Sequence, residues 1–156
     1  MTVEMGKLAP AFTLKDQNGN KVALKGLRGK RVVIYFYPKD DTPGCTKEAC
    51  SFRDLHTQTS ELNTVVLGIS PDDGESHQKF IEKFNLPFTL LCDPEKKVME
   101  KYNAWGEKVM YGRKSVGTIR STVLIDEQGK VIKHWKKVPK AESHPQKVLE
   151  VIQQLQ

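Results

Sequence analysis

An α/β sandwich with a mixed central sheet flanked by helices, opened by an N-terminal β-hairpin, is the fold this sequence predicts, and three features predict it. Two near-continuous apolar runs, residues 32–37 and 64–69, have the β-branched and aromatic make-up of strands buried on both faces of a sheet. The segment between them is polar and mixed, and it is long enough for the crossover that parallel neighbours require. A hairpin pattern near each end of the chain adds antiparallel pairing to that parallel pair.

Taken in order, Phe12-Thr-Leu and Lys21-Val-Ala-Leu face each other across Asp16-Gln-Asn-Gly-Asn20, an edge hairpin turning at Asn18 and Gly19. Residues 32–37 form the central strand and, with the crossover and 64–69, a β-α-β unit. Phe80, Ile81 and Phe84 cluster on one face of a second helix, ahead of a short strand at 88–91 and a short helix over 95–102. Residues 121–125, the turn 126–129 and residues 130–135 read as the second hairpin. Val148, Leu149, Val151, Ile152 and Leu155 then mark a closing helix by their spacing. No repeat, linker or low-complexity segment interrupts the 156 residues, a length that suits one domain over 1–156.

Composition narrows the class. With 38% hydrophobic and 28% charged residues the chain reads as globular, not disordered or fibrous. No apolar run approaches the roughly 20 residues of a spanning helix, and the start Met1-Thr-Val-Glu-Met-Gly has no signal-peptide pattern, so the expected location is cytoplasmic, with no membrane partner. A net charge of +6 attracts anions, with lysine and arginine concentrated over 21–31 and 130–140. Aromatic residues are not interleaved there as a stacking platform requires, so no nucleic-acid partner is expected. Three cysteines make a disulfide framework a poor reading in a chain of this size; a catalytic or metal-related use fits better.

The chemistry concentrates in Pro38-Lys-Asp-Asp-Thr-Pro-Gly-Cys-Thr-Lys-Glu-Ala-Cys50, directly after the central strand, where α/β folds place their sites. Thr42 caps a helix and Pro43 takes its first position, which makes Cys45 the third helical residue. Unpaired N–H groups and the helix dipole favour an anion there, so the Cys45 sulfur is placed where a thiolate is stabilised. A side chain at that position reaches back toward the cap, so the Thr42 hydroxyl is expected beside it. Asp40 and Asp41 oppose the thiolate unless their carboxylates point to solvent. Cys50 lies five residues on, about 7.5 Å of rise and roughly 140° of rotation away on an unbroken helix. Disulfide Cα atoms must lie within about 6.8 Å, so pairing the two requires unwinding. On spacing alone Cys50 is equally a small buried apolar residue.

Pro38-x-x-x-Thr42-x-x-Cys45 resembles the active-site signature of the peroxiredoxins, and the fuller stretch from Tyr37 to Cys50 is similar to their bacterioferritin comigratory protein, or peroxiredoxin Q, subgroup. Segments at 6–12, 66–70, 88–94, 105–108 and 119–126 extend the resemblance over nearly the whole chain. It implies a thioredoxin-like fold and thiol-dependent reduction of hydrogen peroxide and organic hydroperoxides in antioxidant defence, without cofactor or metal, by a monomer. Cys45 would match the peroxidatic cysteine and become a sulfenic acid. Cys50 would match the resolving cysteine, closing an intramolecular disulfide that thioredoxin or a similar dithiol reduces. Thr42 would hydrogen-bond the sulfur and the peroxide, Pro38 would shield the pocket, and Arg120 would match the family arginine that stabilises thiolate and orients peroxide.

Read without the family, Arg120 is a surface or ion-pair residue, and Cys92 is a buried spectator, although pairing of Cys45 with Cys92 stays open. Trp105 and Tyr111 either line the pocket mouth or pack. His56, His77, His134 and His144 show no ligand spacing and are given no catalytic role. Two competing classes are a thioredoxin-type oxidoreductase, which normally uses Cys-x-x-Cys, and a metal site drawing on Cys45, Cys50, Cys92 and His56.

Overall fold

The computed structural model describes residues 3–155; Met1, Thr2 and Gln156, which the 1–156 domain expectation includes, lie outside the described residues. The elements in chain order are β1 (Thr13–Asp16), β2 (Lys21–Ala23), β3 (Arg31–Phe36), α1 (Pro43–Asp54), α2 (His56–Glu61), β4 (Thr64–Ser70), α3 (Gly74–Phe84), β5 (Thr89–Cys92), α4 (Lys97–Lys101), β6 (Trp105–Met110), β7 (Arg113–Thr118), β8 (Ser121–Ile125), β9 (Val131–Trp135) and α5 (His144–Gln154).

Seven strands form one sheet in the order β2-β1-β5-β4-β3-β8-β9. β3 is central, parallel to β4 on one side and antiparallel to β8 on the other, as its unbroken apolar run predicts. Its alternate side chains feed two cores. Val32, Ile34 and Phe36 pack with Phe12, Met99, Tyr102 and Val131, while Val33, Tyr35 and Tyr37 pack with Cys45, Ala49, Phe52, Phe80 and Val148. The second face is therefore the one that α1, α3 and α5 cover, and Cys45 belongs to it. Gly68 in β4 has a steric reason: a Cβ there would lie 2.7 Å from Leu90 and 2.9 Å from the Tyr35 ring.

Both predicted hairpins are present, and the first continues into the sheet because β1 also pairs with β5, Lys15 opposite Cys92. The crossover between β3 and β4 is two helices, broken at Leu55. One element lies outside the sequence reading. β6 and β7 form a separate antiparallel ribbon, turning at Tyr111 and Gly112 with φ of 53° and 76°. Its strands are too polar to register as core strands, and Tyr111 stands where a hairpin turn usually has asparagine. Trp105 packs against the first core and Tyr111 is 97% exposed at the ribbon's tip. Among the described residues no helix is long and apolar enough to cross a membrane.

Candidate active site

The site forms where the central strand ends and α1 begins. Thr42 is extended at the helix N-cap, Pro43 opens the helix, and the Thr42 carbonyl accepts from the Thr46 N–H at 2.8 Å. Cys45 is thus the third helical residue, and it is buried. Its hydrogen bond comes from across the sheet: Arg120 Nη2 donates to Cys45 Sγ at 3.3 Å. Arg120 sits just before β8, its carbonyl pinned by the Val138 N–H at 2.9 Å. Gly44 makes room for this contact, since a Cβ there would stand 3.2 Å from Arg120 Nη2.

Glu48 completes the group. Three residues after Cys45, it shares that face of α1, and its buried Oε1 accepts from Arg120 Nη1 at 2.7 Å. One guanidinium fork therefore bridges a sulfur and a carboxylate, a bidentate task that lysine's point charge does not fill. Glu48 Oε2 has no hydrogen-bond partner among the described residues. Burial pushes the carboxyl up, against the pull of Arg120, to about 7. Arg120 loses by burial and gains more from Glu48 and Cys45, so its charge is held.

The raised carboxyl has a consequence for stability. A group whose folded value lies above its unfolded one contributes stability below the unfolded value and loses it as pH rises through the folded value. Between pH 4.5 and 7, the wild type is expected to lose about 3 kcal/mol through Glu48, and Glu48→Gln to flatten that slope in urea titrations at several pH values.

Other expected contacts differ. The Thr42 hydroxyl donates to the Lys39 carbonyl at 2.9 Å, so the partner of the Cys45 sulfur is Arg120 and not the cap residue. Asp41 is exposed and paired with Lys83 at 2.8 Å, but Asp40 turns inward, because Tyr37 and Ser76 donate to its carboxyl oxygens and His77 Nδ1 hydrogen-bonds one of them. Pro38 joins Thr118, Ile119, Arg120, Val138 and Pro139 around a largely apolar cavity of about 440 Å³. A second, open pocket of about 670 Å³, lined by Gly44, Lys47, Arg120 and Lys140, meets it at Arg120 and Pro139.

Cys50 lies on the same continuous helix as Cys45, partly exposed, and all three thiols are free. Cys92, at the end of β5, is pushed up to about 11 by burial and by Asp73, Asp40, Asp16 and Asp72. It is a poor nucleophile at neutral pH. Among the described residues the cysteines and His56 do not gather into a ligand set; the cluster close enough for a metal is Asp40, Asp72 and His77. Sequence reasoning missed Glu48 and Gly44, although the three-residue spacing of Glu48 from Cys45 was a usable signal.

A cysteine in the first turn of the helix that follows a central strand of a mixed sheet is the arrangement of a thioredoxin-fold thiol enzyme. The chain belongs to the AhpC/TSA family, whose profile matches residues 5–134, and falls among its Bcp and peroxiredoxin Q members, which makes it a peroxiredoxin, a thiol-dependent peroxidase. It is 48% identical to peroxiredoxin Bcp of Bacillus subtilis over 155 residues, covering 99% of this chain and 98% of that protein. A peroxiredoxin Q variant from Xylella fastidiosa superposes with a TM-score of 0.91 at 29% identity, covering 99% of this chain and 98% of the other. The bacterioferritin comigratory protein of Xanthomonas campestris, described in terms of its alkyl peroxide reduction activity, superposes with a TM-score of 0.86 at 34% identity, over 92% of this chain and 91% of that one.

Proposed function

We propose that this chain reduces hydrogen peroxide and organic hydroperoxides through Cys45, with Cys50 as resolving residue and thioredoxin or a similar dithiol as reductant. The observation that carries the reading is the Arg120 fork, which places a fixed positive charge 3.3 Å from a sulfur at a helix N-terminus. In the first step the Cys45 thiolate attacks the terminal peroxide oxygen and the O–O bond breaks. The sulfur is oxidised by two electrons to the sulfenic acid, and the departing alkoxide takes a proton to leave as alcohol, or as water from hydrogen peroxide. In the second, the Cys50 thiolate attacks that sulfur, hydroxide leaves and is protonated to water, and a disulfide remains. The dithiol returns two electrons and becomes a disulfide itself.

Magnitudes assign the work. A thiol of pKa about 8.5 is a few per cent ionised at pH 7, so complete ionisation adds only about 30-fold. The larger share comes from aligning the peroxide and stabilising the departing oxygen. Arg120 and the Cys45 N–H are the donors for this, the Thr42 hydroxyl joining them by exchanging the Lys39 carbonyl for the peroxide, and Pro38 screens the sulfur from water. The apolar cavity beside Pro38 and Arg120 supports bulky alkyl hydroperoxides as substrates, the activity described for the Xanthomonas protein. Cys92 takes no part, and Cys92→Ser is expected to leave peroxide reduction within about twofold of wild type, as a surface or spectator change does.

The protein acts in the cytoplasm as a monomer in this reading. Its test is consumption of NADPH with thioredoxin, thioredoxin reductase and either hydrogen peroxide or cumene hydroperoxide. Turnover by the wild type with none by Cys45→Ser supports it; equal rates for the two proteins defeat it.

A further inference from the structure

The link between β3 and α1 carries Pro38 and Thr42, and its middle is tied down from below. Lys39 and Asp41 on that link are exposed, whereas Asp40 is buried. Asp40 Oδ1 accepts from the Tyr37 hydroxyl at 2.5 Å, and Oδ2 accepts from the Ser76 hydroxyl at 2.8 Å and shares a hydrogen bond with His77 Nδ1 at 2.7 Å. The Asp40 N–H donates to Asp72 Oδ2 at 2.8 Å, and the Ser70 hydroxyl donates to the same oxygen at 2.7 Å. His77, fully buried on α3, faces the Leu91 carbonyl with its other ring nitrogen at 2.9 Å.

A neutral imidazole has one donor, and here a carboxylate oxygen and a carbonyl oxygen face its two nitrogens. One ring nitrogen meets the Asp40 carboxyl on the link and the other the Leu91 carbonyl on β5, so the buried ring ties the link to the sheet through two hydrogen bonds. Asp40, Asp72 and His77 lie close enough together to hold a cation, but their ligand atoms are already engaged in these hydrogen bonds.

We propose that His77 is a positioning residue for the Cys45 reaction, acting through Asp40; the proposal rests on the peroxidase reading above. Its partners are Asp40 and Leu91, so the ring works on the sulfur's surroundings and not on the sulfur. Asp40 is two residues from both Pro38 and Thr42, and the backbone bends directly after it, Asp41 having φ 56°. The anchor thereby fixes the two link residues that face the peroxide, while Ala49 and Phe52 hold α1 in the core independently.

The test compares two reactions of Cys45 in one folded protein: oxidation by hydrogen peroxide, which needs the link in place, and alkylation by iodoacetamide, which needs only an accessible thiolate. His77→Leu is expected to slow the peroxide reaction about 30-fold or more while alkylation changes less than about threefold, since small misplacements cost orthogonal chemistry unequally. His77→Asn, which keeps a donor toward Asp40, is expected to recover most of the loss. An unchanged peroxide rate in folded His77→Leu, or a fall shared equally by alkylation, overturns the proposal. Nitrogen-15 NMR of the wild type gives a second check independent of folding in the variants: both His77 ring nitrogens are expected to be hydrogen-bonded, and a ring nitrogen without a hydrogen bond overturns the anchor. A wild type inert toward peroxide overturns the peroxidase reading itself, whereas a reactive wild type with an unaffected His77→Leu overturns this proposal alone.

Discussion

Arg120→Met is expected to lower the second-order rate constant for peroxide reduction by about 10²–10³-fold, the cost of removing one preorganised donor from a site where charge develops. The guanidinium lies 3.3 Å from the Cys45 sulfur and 2.7 Å from Glu48, and both contacts vanish together. Glu48 then sits buried without its partner, but its carboxyl, already raised to about 7, takes a proton instead of carrying an unpaired charge. The fold is therefore expected to survive. Arg120→Lys restores the charge but not the fork, and is expected to recover only part of the rate. Stopped-flow mixing with hydrogen peroxide, followed by intrinsic fluorescence, measures the constant; a value within about threefold of wild type for Arg120→Met contradicts the assignment.

Cys50→Ser is expected to abolish sustained turnover with thioredoxin while leaving the first encounter with peroxide unchanged. On the proposed Cys45–Cys50 pairing, oxidation of the wild type is expected to open the helix. Cys45 and Cys50 lie on one continuous helix, Pro43–Asp54, at a separation of about 7.5 Å along the axis and with side chains turned roughly 140° apart. Closing the disulfide thus requires the turn from Cys45 to Cys50 to unwind, with Thr46 releasing the Thr42 carbonyl it holds at 2.8 Å. Amide hydrogen exchange in α1 reads this directly. Protection over residues 46–50 is expected to fall in the oxidised wild type and to stay in peroxide-treated Cys50→Ser, while β3 and β4 keep theirs in both. Equal protection in reduced and oxidised wild type contradicts the pairing.

Much of this architecture is legible in the residues because the signals are local and redundant. The run at 32–37 alternates between two cores, so it reads as buried on both faces, and it is the central strand. Thr42-Pro43 fixes the helix start to the residue, and with it the position of Cys45. What was not legible depends on contacts distant in sequence. Arg120 reaches Cys45 across 75 residues, and nothing around position 120 distinguishes it from an ordinary ion-pair residue without the family resemblance. Asp40 and Asp41 are indistinguishable as neighbouring acids whose direction the sequence leaves open, yet the fold turns Asp40 inward onto His77, 37 residues away. The ribbon of β6 and β7 escaped because it pairs with itself and buries little, leaving no hydrophobic period to read. The Thr42 hydroxyl went to the Lys39 carbonyl because a nearer backbone acceptor competed with the sulfur.

The claim on which the rest depends is that Cys45 is the sulfur that meets the peroxide and Cys50 the one that meets Cys45. Reduced protein exposed for seconds to one equivalent of hydrogen peroxide, then trapped with dimedone and an alkylating agent and digested, answers it by mass spectrometry. The expected products are a Cys45–Cys50 linked peptide in the wild type and a dimedone adduct on Cys45 in Cys50→Ser, with Cys92 alkylated in both. Cys45 recovered as an alkylated thiol in both proteins would contradict the account at its first step.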